Sequence, residues 1–288
     1  VKFFVLIWCC LFYLDTLQAY EYNISACCIS QNEDRFLKEW IDYHRLIGVE
    51  HFYFYDNMSD DASYEILEPY IKEGIVDYIY WDKTYDTEKG WWHVQRDAYV
   101  DAVERAKKQS KWLAIIDTDE FIVPIKDHDL KTFLDDFNDF GGVFVSWICY
   151  GSSGIKTLSE NSWMVTQLLY RSDLLYTLNN LGKSIVRPDR VDAQKSFFPH
   201  TCAYNQNYYH VNAEKKGLRK NMVRDFCSER IRIHHYWARD LDFLHEHKLP
   251  RYARWVGETR AFEKIKIEEN MNECFDPIIL NVINRLQK

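Results

Sequence analysis

Three carboxylates, Asp117, Asp119 and Glu120, stand between two apolar stretches in WLAIIDTDEFIVP, the run from Trp112 to Pro124. Unpaired buried carboxylates are costly, so charge placed here implies either a cation and hydrogen-bond donors or a strand that ends at the surface. Asp-x-Asp suits Mg2+ or Mn2+, hard ions that take oxygen ligands and keep positions for water or substrate phosphates. The His pair in RIRIHHYW is a second chemistry-bearing group. If that run is a strand, His234 and His235 project to opposite faces, and one of them can face a site. Imidazole can join carboxylates around Mn2+; alone, a histidine in an aromatic strand reads as a hydrogen-bonded structural residue.

The elements that must hold these groups follow from periodicity. Ile24 to Ser30 is a short apolar run, a strand buried on both faces. Apolar residues at helical spacing predict a helix from Asn32 to Ile47, ended by Gly48 as a C′ glycine. A β-rich run then stops at Asp56-Asn57. A helix is expected from Ala62 to Lys72, a strand from Ile75 to Trp81, and a longer helix from Trp92 to Lys108. WLAIID is the next strand. Such alternation predicts a parallel sheet with crossover helices, whose ligands bind beyond the carboxyl ends of the strands. The clusters Gln31-Asn32-Glu33, Asp56-Asn57 and Asp117-Thr118-Asp119 each follow a predicted strand, so one crevice would gather all three. After Phe140 the texture changes: a strand from Val143 to Tyr150, a Gly/Ser loop, short aromatic strands, and a helical, polar stretch from Arg239 with Asp276-Pro277 as a helix start. No Gly/Ser-rich linker divides the chain, which reads as one domain from residue 20 to 288.

The 288 residues are 47% hydrophobic and 28% charged, an ordinary globular balance. Net charge is −8, which argues against a nucleic-acid surface. The 10 Trp and 20 Tyr are a surplus of the kind that lines sugar- or partner-binding clefts as well as cores. Lys2 precedes an apolar run from Phe3 to Leu14, within the length of a signal-peptide core and too short to span a bilayer. Residues 1–19 therefore read as a signal peptide or short signal-anchor, placing the chain in a secretory lumen or cell envelope. If that run is instead a buried first strand, the chain is cytoplasmic. The cysteines outside the leader form no CxxC pair, so a structural zinc site is not expected, and Cys27 and Cys28 read as buried thiols.

These residues resemble a known family. ACCISQNEDRFLKEWIDYHRLIGVEHFYFYDNMSDD, WLAIIDTDEFIVP, WICYGSSG, KSIVRP and HHYWARD are similar to the ordered blocks of family-92 glycosyltransferases, relatives of family 2 in the GT-A fold class. The blocks run from about Ser25 to about Lys248. The resemblance implies an α/β fold of GT-A type: a Rossmann-like α/β/α sandwich with a mostly parallel central sheet and an irregular C-terminal half. It implies transfer of a sugar from a nucleotide donor, with Asp117 and Asp119 holding a divalent metal, usually Mn2+, against the donor diphosphate. His235 matches the family's His in the HY block, and His234 stands where Asn is usual. Asn32, Glu33, Asp56 and Asn57 correspond to the nucleoside-binding edge, and Gln95 to a polar position near the donor phosphates. Lys183 and Arg187, in KSIVRP, could supply further cations. Where many members carry Lys-Ser after the HY block, this chain has Ala238-Arg239-Asp240, which passes the lysine's role to Arg239.

The expectation is a metal-dependent, inverting transferase using a UDP-linked sugar, with galactose as the family's suggestion, and a glycan acceptor. Inversion needs a base near the acceptor hydroxyl; Glu120, Glu160 and Asp173 stay open for it, and Trp147 to Gly154 is the expected acceptor wall. Two other classes remain: an inert carbohydrate-binding protein of the same fold, and a phosphatase using Asp117 as nucleophile.

Overall fold

The computed structural model describes residues 19–85, 87–195, 197–198, 200–217 and 226–288. The leader expectation rests on residues 1–18, outside the described ones. Among the described residues no helix is long and apolar enough to cross a membrane.

The first half alternates strand and helix as periodicity predicts: β1 (Tyr22–Ser30), α1 (Asp34–Leu46), β2 (His51–Asp56), α2 (Ser63–Lys72), β3 (Val76–Tyr80), α3 (Glu88–Ala106) and β4 (Ser110–Ile115). Helix α1 starts two residues later than expected, because Asn32 takes a left-handed conformation (φ 55°). Gly48, at φ +108°, ends α1 through its N–H to the Arg45 carbonyl, a conformation that glycine tolerates best. Helix α3 starts earlier than expected because the Thr87 side chain accepts the Gly90 N–H and caps it.

Strands then follow as β5 (Glu120–Pro124), β6 (Gly142–Cys149), β7 (Tyr170–Arg171), β8 (Gly182–Val186), β9 (His210–Asn212) and β10 (Ile231–His235). The large sheet runs β3-β2-β1-β4-β8-β6-β10-β5, with β9 added against β6. The pairs among β1, β2, β3 and β4 are parallel. β8 enters antiparallel between β4 and β6, and β5 antiparallel beside β10, so the sheet is mostly rather than wholly parallel.

Helices cover both faces. Alternate residues of β1 serve the two layers: Ala26 and Cys28 pack with Trp40 and Ile41 of α1, while Cys27 and Ile29 pack with Ala98, Tyr99 and Ala102 of α3. Each fully buried large aromatic contributes about 2–3 kcal/mol of transfer free energy, so Trp40, Trp112, Tyr53 and Phe121, all under 2% exposed, anchor the layers. Cys27 and Cys28 are buried free thiols, as expected.

The polarity of the strands fixes what meets at one edge. β1, β2 and β4 deliver their carboxyl ends there, with Ser30, Asp56 and the turn after Ile115. Pairing of Ile115 with Ser184 brings the amino end of antiparallel β8 to the same edge, and pairing of His235 with Glu120 does so for β5. The carboxyl ends of β6 and β10 join them through the pairing of Cys149 with His235.

Candidate functional site

At that edge lies a cavity of about 380 Å³ whose walls include Ser30 and Gln31, Gln95 of α3, Asp117 to Asp119, Lys183, Trp147 and His235. The DTDE turn is its floor. The Glu120 N–H bonds the Asp117 carbonyl, and the Tyr236 N–H bonds the Asp119 carbonyl. From below, the Trp40 indole N–H donates to both the Asp117 and the Glu120 carbonyl oxygens at 3.1 Å. Helix α1 thereby holds the turn.

Each carboxylate has its own counter-charge. The Asp117 carboxylate accepts from Lys183 Nζ at 2.7 Å, from Gln95 Nε2 at 3.0 Å and from the Tyr99 hydroxyl. Asp119 accepts from Lys248 Nζ at 2.8 Å, and its other oxygen lies 3.6 Å from His235 Nε2. Burial opposes ionisation of Asp119, yet the Lys248 ammonium, with the Arg239 guanidinium, holds its carboxyl well below the usual carboxylate range. Burial pushes His235 down to about 4, against the pull of Asp119 and Asp117, so its imidazole is neutral near pH 7. Its ring lies against Trp147, centroids 4.3 Å apart.

Glu120 has a different place. It is fully buried; one carboxyl oxygen accepts the Asp117 N–H at 2.8 Å, and Oε1 has no hydrogen-bond partner. Burial raises its pKa, only partly opposed by Lys183. Donor atoms of Asp119, Glu120 and His235 lie within 4.8 Å of one another. Carboxylate oxygens, a neutral imidazole and an orphaned carboxyl oxygen fit a hard divalent cation. The expected set was Asp117, Asp119 and His235. Here Asp117 turns to Lys183, and Glu120 stands beside the other two.

The structure separates the remaining expected residues. Glu33 lines the cavity and is buried, paired with Arg239 and 3.6 Å from both Lys248 and Arg251. Asn32 binds Ser59 and Asp60 and ties two loops together. Asp56 accepts from the Ser59 and Tyr78 hydroxyls, and the Asn57 amide donates to the Trp81 and Lys83 carbonyls; neither residue lines the cavity. Arg187 sits at the opposite end of β8 from Lys183, beside Asp189 and Tyr20, because an antiparallel strand sends its two ends to opposite sheet edges. None of the three expected base candidates lines the cavity, and Glu120 is buried beneath the turn. Glu160 lines a separate surface depression, and Asp173 accepts the Leu175 N–H in a loop. Of the expected acceptor wall Trp147 lines the cavity, while Ser152 and Ser153 bond Glu268 and Asn272.

His234 projects to the other face, as alternation predicts. It stacks on Tyr150 and accepts from Arg232 Nε at 2.8 Å, a structural role. Arg239 is fully buried over the Phe36 ring rather than facing the cavity. Besides Lys183, the ammonium that faces it belongs to Lys248, at the end of a π-helical turn (Leu244–Lys248). Such turns recur at functional sites. Sequence reading missed Lys248 and Arg251 because both belong to a polar helical stretch where nothing in the spacing marks a site.

The family model described as "Glycosyltransferase family 92" matches residues 22–260. A family 92 protein of Ricinus communis is 27% identical over 201 residues, 67% of this chain and 34% of that protein. The Arabidopsis thaliana galactan beta-1,4-galactosyltransferase GALS3 is 27% identical over 167 residues, 54% of this chain and 32% of that one. The chain thus spans about a third of the length of the curated relatives it matches. Among solved structures, residues 1–349 of S. aureus TarS superpose with a TM-score of 0.42 at 10% identity, covering 83% of this chain and 68% of that one.

Proposed function

The chain belongs to glycosyltransferase family 92, and from that premise we propose that it moves a sugar from a UDP-linked donor to a glycan acceptor with inversion. The observation that carries this is the meeting, at one sheet edge, of Asp117, Asp119 and His235 with the buried cations Lys183 and Lys248. A divalent cation held by Asp119, His235 and a neighbouring carboxylate would offset charge on a departing diphosphate without proton transfer. Lys248 and Arg251 face the same space and are placed to bind diphosphate oxygens. Lys183 holds the Asp117 carboxylate in place through its 2.7 Å contact. Trp147 offers a flat apolar wall for a sugar ring. Galactose is the donor sugar to try first, in line with the name of the Arabidopsis relative.

The three described carboxylates lining the cavity, Glu33, Asp117 and Asp119, are each engaged by a cation. None is left to attack the donor, which favours single displacement and inversion. The same engagement disfavours a phosphatase with Asp117 as nucleophile.

Calorimetric titration with UDP, with and without Mn2+, tests the proposal in the wild type and in Asp119→Ala. Manganese-dependent binding that the substitution abolishes is expected. A folded protein that binds UDP under neither condition would overturn the reading. Binding without turnover of any UDP-sugar would leave the inert carbohydrate-binding alternative.

A further inference from the structure

Trp92 and Phe198 line two cavities at once. One is the crevice of the carboxylates; the other is a groove of about 900 Å³ between the outward face of α3 and the stretch carrying Ala193, Lys195 and Phe198. Helix α3 turns Val94, Gln95, Ala98 and Tyr99 inward, which leaves Lys89, Trp92, Arg96 and Val100 along the groove. Trp92 is 55% exposed and Phe198 50%, so both keep open aromatic surface. The charged lining residues are Lys89, Arg96 and Lys195 against Asp97. In a chain of net charge −8 this wall is positive. Arg96 pairs with Asp97 and Lys195 with Asp192, both at 2.7 Å on the surface, where exchange for another anion costs little.

We propose that this groove is the acceptor subsite and that its ligand is an anionic glycan, a sugar chain bearing carboxylates. This rests on reading the crevice as a sugar-transfer site. Open aromatic rings match the apolar faces of pyranose rings, and flanking Arg and Lys match carboxylates along the chain. A lipid or an apolar peptide would offer Arg96 and Lys195 no anion to take in exchange for Asp97 and Asp192. Because Trp92 and Phe198 belong to both spaces, a chain lying in the groove presents its end to the crevice. There the acceptor hydroxyl oxygen bonds the donor's anomeric carbon, the bond from that carbon to the diphosphate oxygen breaks, UDP leaves with the electron pair, and the hydroxyl proton is released to solvent.

The test titrates the full chain with hexagalacturonate and with a neutral galactohexaose, read by tryptophan fluorescence and calorimetry, in wild type and in the double variant Arg96→Glu/Lys195→Glu. Both positions are on the surface and outside the crevice, and Mn2+-dependent UDP binding checks that the fold is kept. The proposal expects the charged hexamer to bind better than the neutral one. The double variant should weaken it about tenfold, the loss of two surface ion pairs, with UDP affinity unchanged. Equal binding of the two hexamers, or no effect of the variant, overturns it. No hexamer binding in a protein that still binds UDP overturns the groove and leaves the transfer site standing. Variant-sensitive hexamer binding in a protein that never binds UDP supports the groove as a glycan site and removes the transfer reading instead.

Discussion

Lys248 is the residue on which the site's charge balance turns. Its ammonium lies 2.8 Å from Asp119 Oδ2 and 3.6 Å from Glu33 Oε1, and the side chain is 6% exposed. A buried carboxylate pair with no such cation would be strongly disfavoured. The same ammonium faces the space assigned to the donor diphosphate. Replacing it, as Lys248→Met, should weaken Mn2+-dependent UDP binding about 10- to 100-fold, the worth of one charge-assisted hydrogen bond, while leaving uridine, which has no phosphate, unchanged. Equal losses for UDP and uridine would mean that Lys248 only supports the fold of the crevice.

At the scale of elements, α1 braces the DTDE turn and the start of β5 from below. Its Trp40 indole N–H serves two carbonyls of the turn, and its Tyr43 hydroxyl donates to the Ile122 carbonyl at 2.8 Å. His44 Nδ1 donates to the Trp40 carbonyl, which leaves Nε2 to accept the Ile122 N–H. Trp40→Phe keeps a buried aromatic and deletes the shared donor. It should cost about 1–3 kcal/mol, the penalty for leaving buried carbonyls unmet, seen as a lower urea midpoint. Mn2+-dependent UDP affinity should fall with it, since the turn carries Asp117 and Asp119. Unchanged UDP affinity in the destabilised variant would show that the turn holds its shape without α1.

Over the whole molecule, buried histidines set the response to acid. Burial pushes His44 down to about 3 and His200, His210 and His235 to about 4, and holds His234 well below the usual imidazole range, so five imidazoles stay neutral in the fold. The unfolded chain takes up those protons below about pH 6.5, so stability is full above that pH and falls as pH drops toward the folded values. Glu39, raised by burial to about 7, and Glu120, also raised, act in the opposite sense and offset two of the five. Each uncompensated histidine is worth roughly 1 kcal/mol per pH unit below 6.5. The urea midpoint should therefore fall clearly between pH 7 and pH 5.5, and the fall should be smaller in His210→Phe, which removes one deeply buried imidazole. A midpoint indifferent to pH would sink this account.

Hydrophobic period is a local property, so it alone places the elements of the first half: a strand buried on both faces at Ile24 to Ser30, a β-rich run ending at Asp56, and helices with an apolar stripe between them. The Asp-x-Asp turn, the outward and inward turns of His234 and His235, and Lys183 are legible in the sequence as well, because family blocks and alternation are written along the chain. Strand direction is not local. That β8 and β5 run antiparallel emerges only from the pairing of distant segments, and it brings Lys183 to the crevice, sets Glu120 beneath its floor and carries Arg187 away from it. Composition cannot say which carboxylate a cation will meet. Thus Asp56 and Asn57 were absorbed by their own loop, Glu120 became the brace under the turn, and Lys248, 129 residues along the chain from Asp119, became its nearest cation.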